Sequence, residues 1–104
     1  MNDLEKGYIA GFLEGEGCFT RRKDHGIYYA EISAGQKDFE PLEKIASLLG
    51  GKIYQISTSN LYIWKLLKEK EIFNLIDEIY LLLSKRRRDQ IDTMKKFHKS
   101  KIIQ

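Results

Sequence analysis

Cysteine is nearly missing from this chain: Cys18 is the single one in 104 residues. One thiol excludes an internal disulfide and fits a reducing, intracellular compartment. No group of cysteines and histidines has the spacing of a structural zinc site, and His25 and His98 stand alone. No serine, histidine and aspartate can be placed together as a nucleophilic triad. Proline occurs once and low-complexity tracts do not occur, so no linker divides the chain, which is read as one domain over residues 1–104. No apolar run approaches the roughly 20 residues of a membrane span, so no membrane partner is expected. Asp3 and Glu5 close to Met1 argue against a secretory leader. A strong excess of one charge is also lacking, the net charge being +3.

That small excess is unevenly placed. From Leu81 onward the cations Lys85, Arg86, Arg87, Arg88, Lys95, Lys96, Lys99 and Lys101 face only Asp89 and Asp92. Four cations in succession, Lys85 to Arg88, repel one another without a partner and suit phosphate contact.

Hydrophobic residues, 42 % of the chain, are sufficient for a small core and are periodic. Asn2 or Asp3 caps a first helix running to about Glu14. Cys18 to Lys23 and Ile27 to Gly35 are predicted strands around an Asp24-His25-Gly26 turn. A helix follows, capped by Asp38, with Pro41 in its first turn and Gly50-Gly51 at its end. Lys52 to Ser57 and Leu61 to Leu67 form a second hairpin, with Trp64 on its core side. Lys70 to Leu83 and a final helix capped by Ser84, with Ile91, Met94 and Phe97 inward, complete the order αββαββαα. This is an α+β fold: one four-stranded antiparallel sheet with helices on one face. Strand alternation leaves Thr20, Arg22, Tyr29, Glu31, Ser33, Gln55, Ser57, Ile63 and Lys65 on the opposite, open face.

The first helix contains an oddity. In Y-I-A-G-F-L-E-G-E-G-C-F, Tyr8 to Phe19, glycine recurs at Gly11 and Gly15 in step with Gly7, and Gly17 follows. Each glycine within a helix costs about 1 kcal/mol relative to alanine. Glycines at i and i+4 bare one face, so that a second helix approaches backbone to backbone. Only this segment has the pattern, and a self-paired two-fold dimer is the economical partner. The paired helix ends then each deliver a carboxylate. Two carboxylates brought together call for a shared cation, and hard oxygen donors suit Mg2+.

The run I-A-G-F-L-E-G-E-G, Ile9 to Gly17, resembles the motif of the LAGLIDADG homing endonucleases, with glutamate at both acidic positions. S-A-G-Q-K-D, containing Gln36, and L-L-S-K-R-R-R, containing Lys85, resemble further family segments, and the αββαββα core agrees. The resemblance implies that Gly7, Ala10, Gly11, Glu14 and Gly15 line a dimer axis. It implies that Glu16 binds the catalytic metal with help from the Gly15 carbonyl, and that Gln36 and Lys85 order water at the attacked phosphate. It implies a saddle-shaped sheet in the DNA major groove, built from the open face above, with Lys37 and Arg86 to Arg88 as further DNA contacts. The cofactor expected is Mg2+, with Mn2+ a second candidate and Ca2+ a non-catalytic substitute. For a single-motif chain the resemblance implies a homodimer acting on near-palindromic double-stranded DNA and leaving short 3′ overhangs. Two alternatives keep the fold and change the function: a DNA-binding regulator that no longer cuts, and an intron maturase acting on RNA.

Overall fold

The structure, a computed structural model, describes residues 1–103, with side chains as far as Lys96. Phe97, expected to face inward, and Lys99 and Lys101 of the basic end lie outside the described side chains. The elements are α1 (Asp3–Glu16), β1 (Gly17–Asp24), β2 (Ile27–Gln36), α2 (Phe39–Leu49), β3 (Lys52–Gln55), β4 (Tyr62–Leu66), α3 (Glu69–Ile79), a 3-10 turn (Tyr80–Leu82) and α4 (Lys85–Ile103). The four strands form one antiparallel sheet in the order β1-β2-β4-β3. The α+β architecture is the one expected.

Asn2 starts α1 through a reciprocal capping box. Its side chain accepts from the Glu5 N–H at 2.8 Å, and the Glu5 carboxylate accepts from the Asn2 N–H at 3.0 Å. The helix runs to Glu16, two residues further than expected. Gly15 continues the helical turn, and the chain becomes extended only at Gly17. The β1–β2 ribbon is closed by His25 and Gly26, both at positive φ, the hand of turn that matches strand twist. Asp38 stands at the N-cap of α2 but makes no side-chain capping bond, contrary to expectation. The helical stretch expected over Lys70 to Leu83 tightens into the 3-10 turn after Ile79, and Leu83 is buried beyond it.

Ile9 and Leu13 of α1, Leu42 and Ile45 of α2, Ile72 and Ile76 of α3, and Ile91 and Met94 of α4 pack on one sheet face. There they meet Phe19, Ala30, Ile32, Ala34, Trp64 and Leu66. Burying each of the Leu, Ile, Phe and Met side chains among them contributes about 1.5–3 kcal/mol.

The second hairpin corrects two expectations. Ile53 pairs with Trp64 and Gln55 with Tyr62, so Gln55 sits at a helix-side position of the sheet rather than on the open face. Ser57 lies in the turn after β3, since the strand ends at Gln55. Lys52 and Tyr54 take the open-face positions instead. The anchor of this register is Trp64, fully buried, whose indole N–H donates to the Gly50 carbonyl at 2.8 Å. The chain turns across that ring at Gly51, φ 86°, where an added Cβ would lie 2.5 Å from the Lys65 carbonyl and 2.7 Å from Trp64 Nε1.

Gly51→Ala is therefore expected to lower unfolding free energy by about 2 kcal/mol or more, combining left-handed backbone strain with the clash. Gly50→Ala, where the nearest atom is the Glu71 carboxylate at 3.7 Å, carries the strain alone. Urea denaturation of both variants checks the ordering.

Candidate functional site

The helix α1 has two unlike sides. Ile9, Ala10 and Leu13 are buried in the core, while Gly7, Gly11 and Gly15 are exposed. A Cβ built on any of these three glycines meets nothing within 4 Å. The bare stripe therefore serves no packing inside the chain. Leu4, 83 % exposed, and Tyr8 flank it. Ala10, expected on this outer stripe, is corrected: at 3 % exposure it belongs to the chain's own core.

At the end of α1 the two acidic residues have opposite placements. Glu14 turns inward and grips the start of α4. Its Oε1 accepts the Ser84 N–H at 2.7 Å and its Oε2 accepts the Ser84 hydroxyl at 2.7 Å. A carboxylate at a helix N-terminus satisfies a free N–H and meets the positive end of the dipole. These bonds, helped by Arg87 and Arg86, hold its carboxyl below the usual carboxylate range. Glu14, expected at the dimer axis, is thus occupied by its own chain.

Arg87 completes the junction. It is 6 % exposed and donates from Nε to the Glu14 carbonyl at 3.0 Å and from Nη1 to Gln90 Oε1 at 3.1 Å. That places a cation against the carbonyl end of α1. The expectation that Arg87 contacts DNA is corrected by this burial; Arg86 is exposed and Arg88 half-buried.

Glu16, in contrast, is exposed. Of the last carbonyls of α1, Leu13 O accepts from the Gly17 N–H and Glu14 O from Arg87. Gly15 O comes next in the helix, one residue before the exposed Glu16. These are hard oxygen donors at the negative end of a helix dipole, a fitting environment for a divalent cation. Among the described residues no group of three or more His, Cys, Asp or Glu side chains gathers on one chain. Sites that use fewer side chains exist: Mg2+ is commonly held by one or two carboxylates together with substrate phosphates.

Gln36 ends β2, two residues beyond the Gly17–Ala34 pair, which sets it at the same end of the sheet as Glu16. It pairs in register with Tyr62 and is half-buried. Lys37 follows, exposed. Lys85 lies directly after Ser84 and is held by Asp89 in an exposed 2.8 Å ion pair that raises its pKa.

The open face of the sheet is laid out by register. Cys18, Ser33, Lys65 and Lys52 form one row across the four strands. Gly35, Ile63 and Tyr54 form the next. Thr20 beside Glu31 and Arg22 beside Tyr29 continue outward along the ribbon. Lys65 lies 5.9 Å from the Tyr54 ring centroid. Cys18 is exposed here. Glu31 is 9 % exposed, which withdraws it from direct contact. Lys52 and Tyr54 were missed because β3 is short and its alternation is ambiguous.

A sequence model of the LAGLIDADG endonucleases matches residues 9–98. This chain belongs to the LAGLIDADG endonuclease family. Among solved structures, the archaeal intron-encoded homing endonuclease I-Vdi141I, complexed with DNA, is 26 % identical with a TM-score of 0.70 over 86 % of this chain. The meganuclease I-AabMI, bound to uncleaved DNA, is 27 % identical with a TM-score of 0.76 over 95 %. The present chain spans 64 % of the first protein and 36 % of the second. The homing endonuclease I-TnaI, at 20 % identity and a TM-score of 0.70, shares the fold over 97 % of this chain and 74 % of its own. No curated protein matches the chain. The LAGLIDADG helix is α1, and its acidic pair divides into a structural Glu14 and an exposed Glu16. Among the described residues no helix is long and apolar enough to cross a membrane.

Because its carboxyl is held below the usual range, Glu14 contributes stability that is present above the unfolded carboxylate pKa of about 4.3. That contribution is lost as pH falls through the lower folded value. Glu14→Gln is expected to be less stable than the parent chain at pH 7, and the gap is expected to narrow as pH falls below the unfolded carboxylate value. Urea midpoints across that fall in pH check both the gap and its narrowing.

Proposed function

We propose that this chain is a site-specific DNA endonuclease that acts as a homodimer on near-palindromic double-stranded DNA, each copy cutting one strand to leave short 3′ overhangs. The observation that carries this reading is the exposed Glu16 at the end of a helix whose outward glycine stripe touches nothing in its own chain. Pairing two copies through the stripe brings two Glu16 carboxylates and two Gly15 carbonyls to one axis. The family membership and two similar proteins solved with DNA support DNA as the partner.

The Glu16 carboxylate and Gly15 carbonyl would hold a divalent cation, with Mg2+ the proposed ion, Mn2+ a second candidate and Ca2+ a non-catalytic substitute. When bound, such a cation supplies Lewis-acid polarisation of the phosphoryl oxygen and a lowered pKa for bound water. Gln36, at the same end of the sheet, orders water toward the phosphate through its amide. Lys85 offsets charge that develops in the transition state once DNA phosphate competes with Asp89 for its ammonium. Lys65, Lys52, Arg22 and Arg86 give the sheet side and its flank cations for the duplex, with Thr20, Tyr29, Ser33, Ile63 and Tyr54 between them.

One observation favours a second reading, a DNA-binding protein that does not cut. Lys85 is already neutralised by Asp89 at 2.8 Å. The two readings separate in one experiment: selection of binding sites from random DNA in Ca2+, followed by transfer to Mg2+. The endonuclease reading expects cleavage of a near-palindrome by the parent chain. Glu16→Gln is expected to bind the same DNA with cleavage lowered at least a hundredfold, in proportion to the several kcal/mol a metal contributes to such a transition state. Specific binding without cutting by either protein establishes the second reading.

The dimer has a separate test. A leucine at Gly11 fits the single chain, since a Cβ there meets nothing within 4 Å, and it fills the stripe. Gly11→Leu is expected to sediment as a folded monomer with unchanged circular dichroism; a variant that stays dimeric at low concentration would overturn self-pairing through α1.

A further inference from the structure

Two neighbouring arginines on β1 point to opposite sides of the ribbon and have different surroundings. Arg21 faces the helices. Its side chain is 6 % exposed, and it donates from Nε and Nη2 to the Met94 carbonyl of α4 and from Nη1 to the Tyr28 carbonyl. Arg22 faces the open side. Its guanidinium carbon lies 4.7 Å from the Tyr29 ring centroid, its Nε 3.8 Å from Glu31 Oε1 and its Nη1 3.9 Å from Asp24 Oδ2. Those separations attract by charge but are too long for hydrogen bonds. Arg22 Nε is buried and has no hydrogen-bond partner. The guanidinium thus lies over the Tyr29 ring between two carboxylates, and its side chain remains 36 % exposed.

We propose that Arg22 reads one guanine in each half-site, and that Glu31 is the positioning residue that aims it. This rests on the DNA-reading function proposed above. A planar guanidinium donates two parallel hydrogen bonds to the O6 and N7 atoms of guanine in the major groove. The Tyr29 ring and the charge of Glu31 restrict where it can move, so less side-chain freedom is lost on binding. Glu31, 9 % exposed behind Arg22, does not reach a cytosine amino group.

The geometry also gives the position. β2 pairs with β4 only over Ile32–Gln36, so the outer half of the β1–β2 ribbon extends past the four-stranded part of the sheet. A two-stranded ribbon fits the major groove. Arg22 lies six residues along β1 from Glu16, about 20 Å at roughly 3.3 Å per residue. At roughly 3.4 Å per base pair, the guanine lies about six base pairs outward from the phosphate nearest Glu16.

The test is a site selection in Ca2+ from a library of palindromic random half-sites, with the parent chain, Arg22→Ala, Arg22→Lys and Glu31→Gln in parallel. The parent chain is expected to select guanine at one position about six base pairs from the centre of its cleavage phosphate. Arg22→Ala is expected to lose that preference by about tenfold or more and keep the others. Arg22→Lys keeps the charge but not the fork, so affinity is retained while the guanine preference falls. Glu31→Gln is expected to broaden the preference at that position alone, with an unchanged melting temperature; a merely structural role would lower stability and weaken all positions together. A sharp parental site whose guanine preference survives Arg22→Ala overturns this inference and leaves the DNA-reading function standing. If the parent chain enriches no sequence at all, the DNA-reading function falls and this inference with it.

Discussion

The grip of Glu14 on Ser84 is the contact on which the rest of this arrangement depends. It ties the last turn of α1 to the first turn of α4 through two 2.7 Å hydrogen bonds, and Arg87 returns the link to the Glu14 backbone. Helix ends leave unsatisfied groups, and here each is met by a side chain of the other helix: the Ser84 N–H before α4 by the Glu14 carboxylate, and the Glu14 carbonyl of α1 by the Arg87 guanidinium. The consequence is positional. With Glu14 turned inward and Gly17 entering the sheet, Glu16 is left at the surface and Lys85 is brought to the same junction. One acidic residue is consumed in holding the frame so that the second is presented by it.

Glycine in α1 is explained by the same frame. The helix buries Ile9, Ala10 and Leu13 on its inner side and needs nothing bulky outside. A lone chain gains nothing from glycine there, since alanine would fit and favour the helix. The cost falls on the single chain, and the proposed close-packed pair is where a benefit would arise. The exposed Leu4 and Tyr8 beside the stripe are apolar surface of the same orientation.

Much of this was legible in the sequence because its signals were strong. The element order, the two hairpins, the buried Trp64 and the open face of β1 and β2 follow from clear periodicity and turn chemistry. The failures have particular causes. In K-I-Y-Q-I-S, Lys52 to Ser57, apolar residues fall on both phases of the alternation, so the pattern does not settle which side faces the core. The Trp64 bond to the Gly50 carbonyl and the close turn at Gly51 settle it, and both are tertiary. Lys85 to Arg88 are alike as residues, but successive helical positions point about 100° apart, and the Glu14 carbonyl selects Arg87 for burial. Glu31 was assigned to the correct face. What alternation does not reveal is the diagonal neighbour Arg22, which covers it.

Arg21 and Arg22 show why one strand can serve two demands. Reading a base requires a side chain held to within a fraction of an ångström, and an unsupported two-stranded ribbon is marginally ordered in water. Arg21 supplies the support by donating to a backbone carbonyl of α4 on the ribbon's inner side. Burial lowers its pKa and the Glu69 carboxylate opposes that loss, but an arginine retains its charge throughout any ordinary pH. The anchor is therefore permanent, whereas an equivalent built on histidine would release with pH. Strand alternation then places the next arginine on the opposite side of a braced ribbon, where Tyr29 and Glu31 orient it. Rigidity on one face of β1 is thus the condition for the base reading proposed on the other.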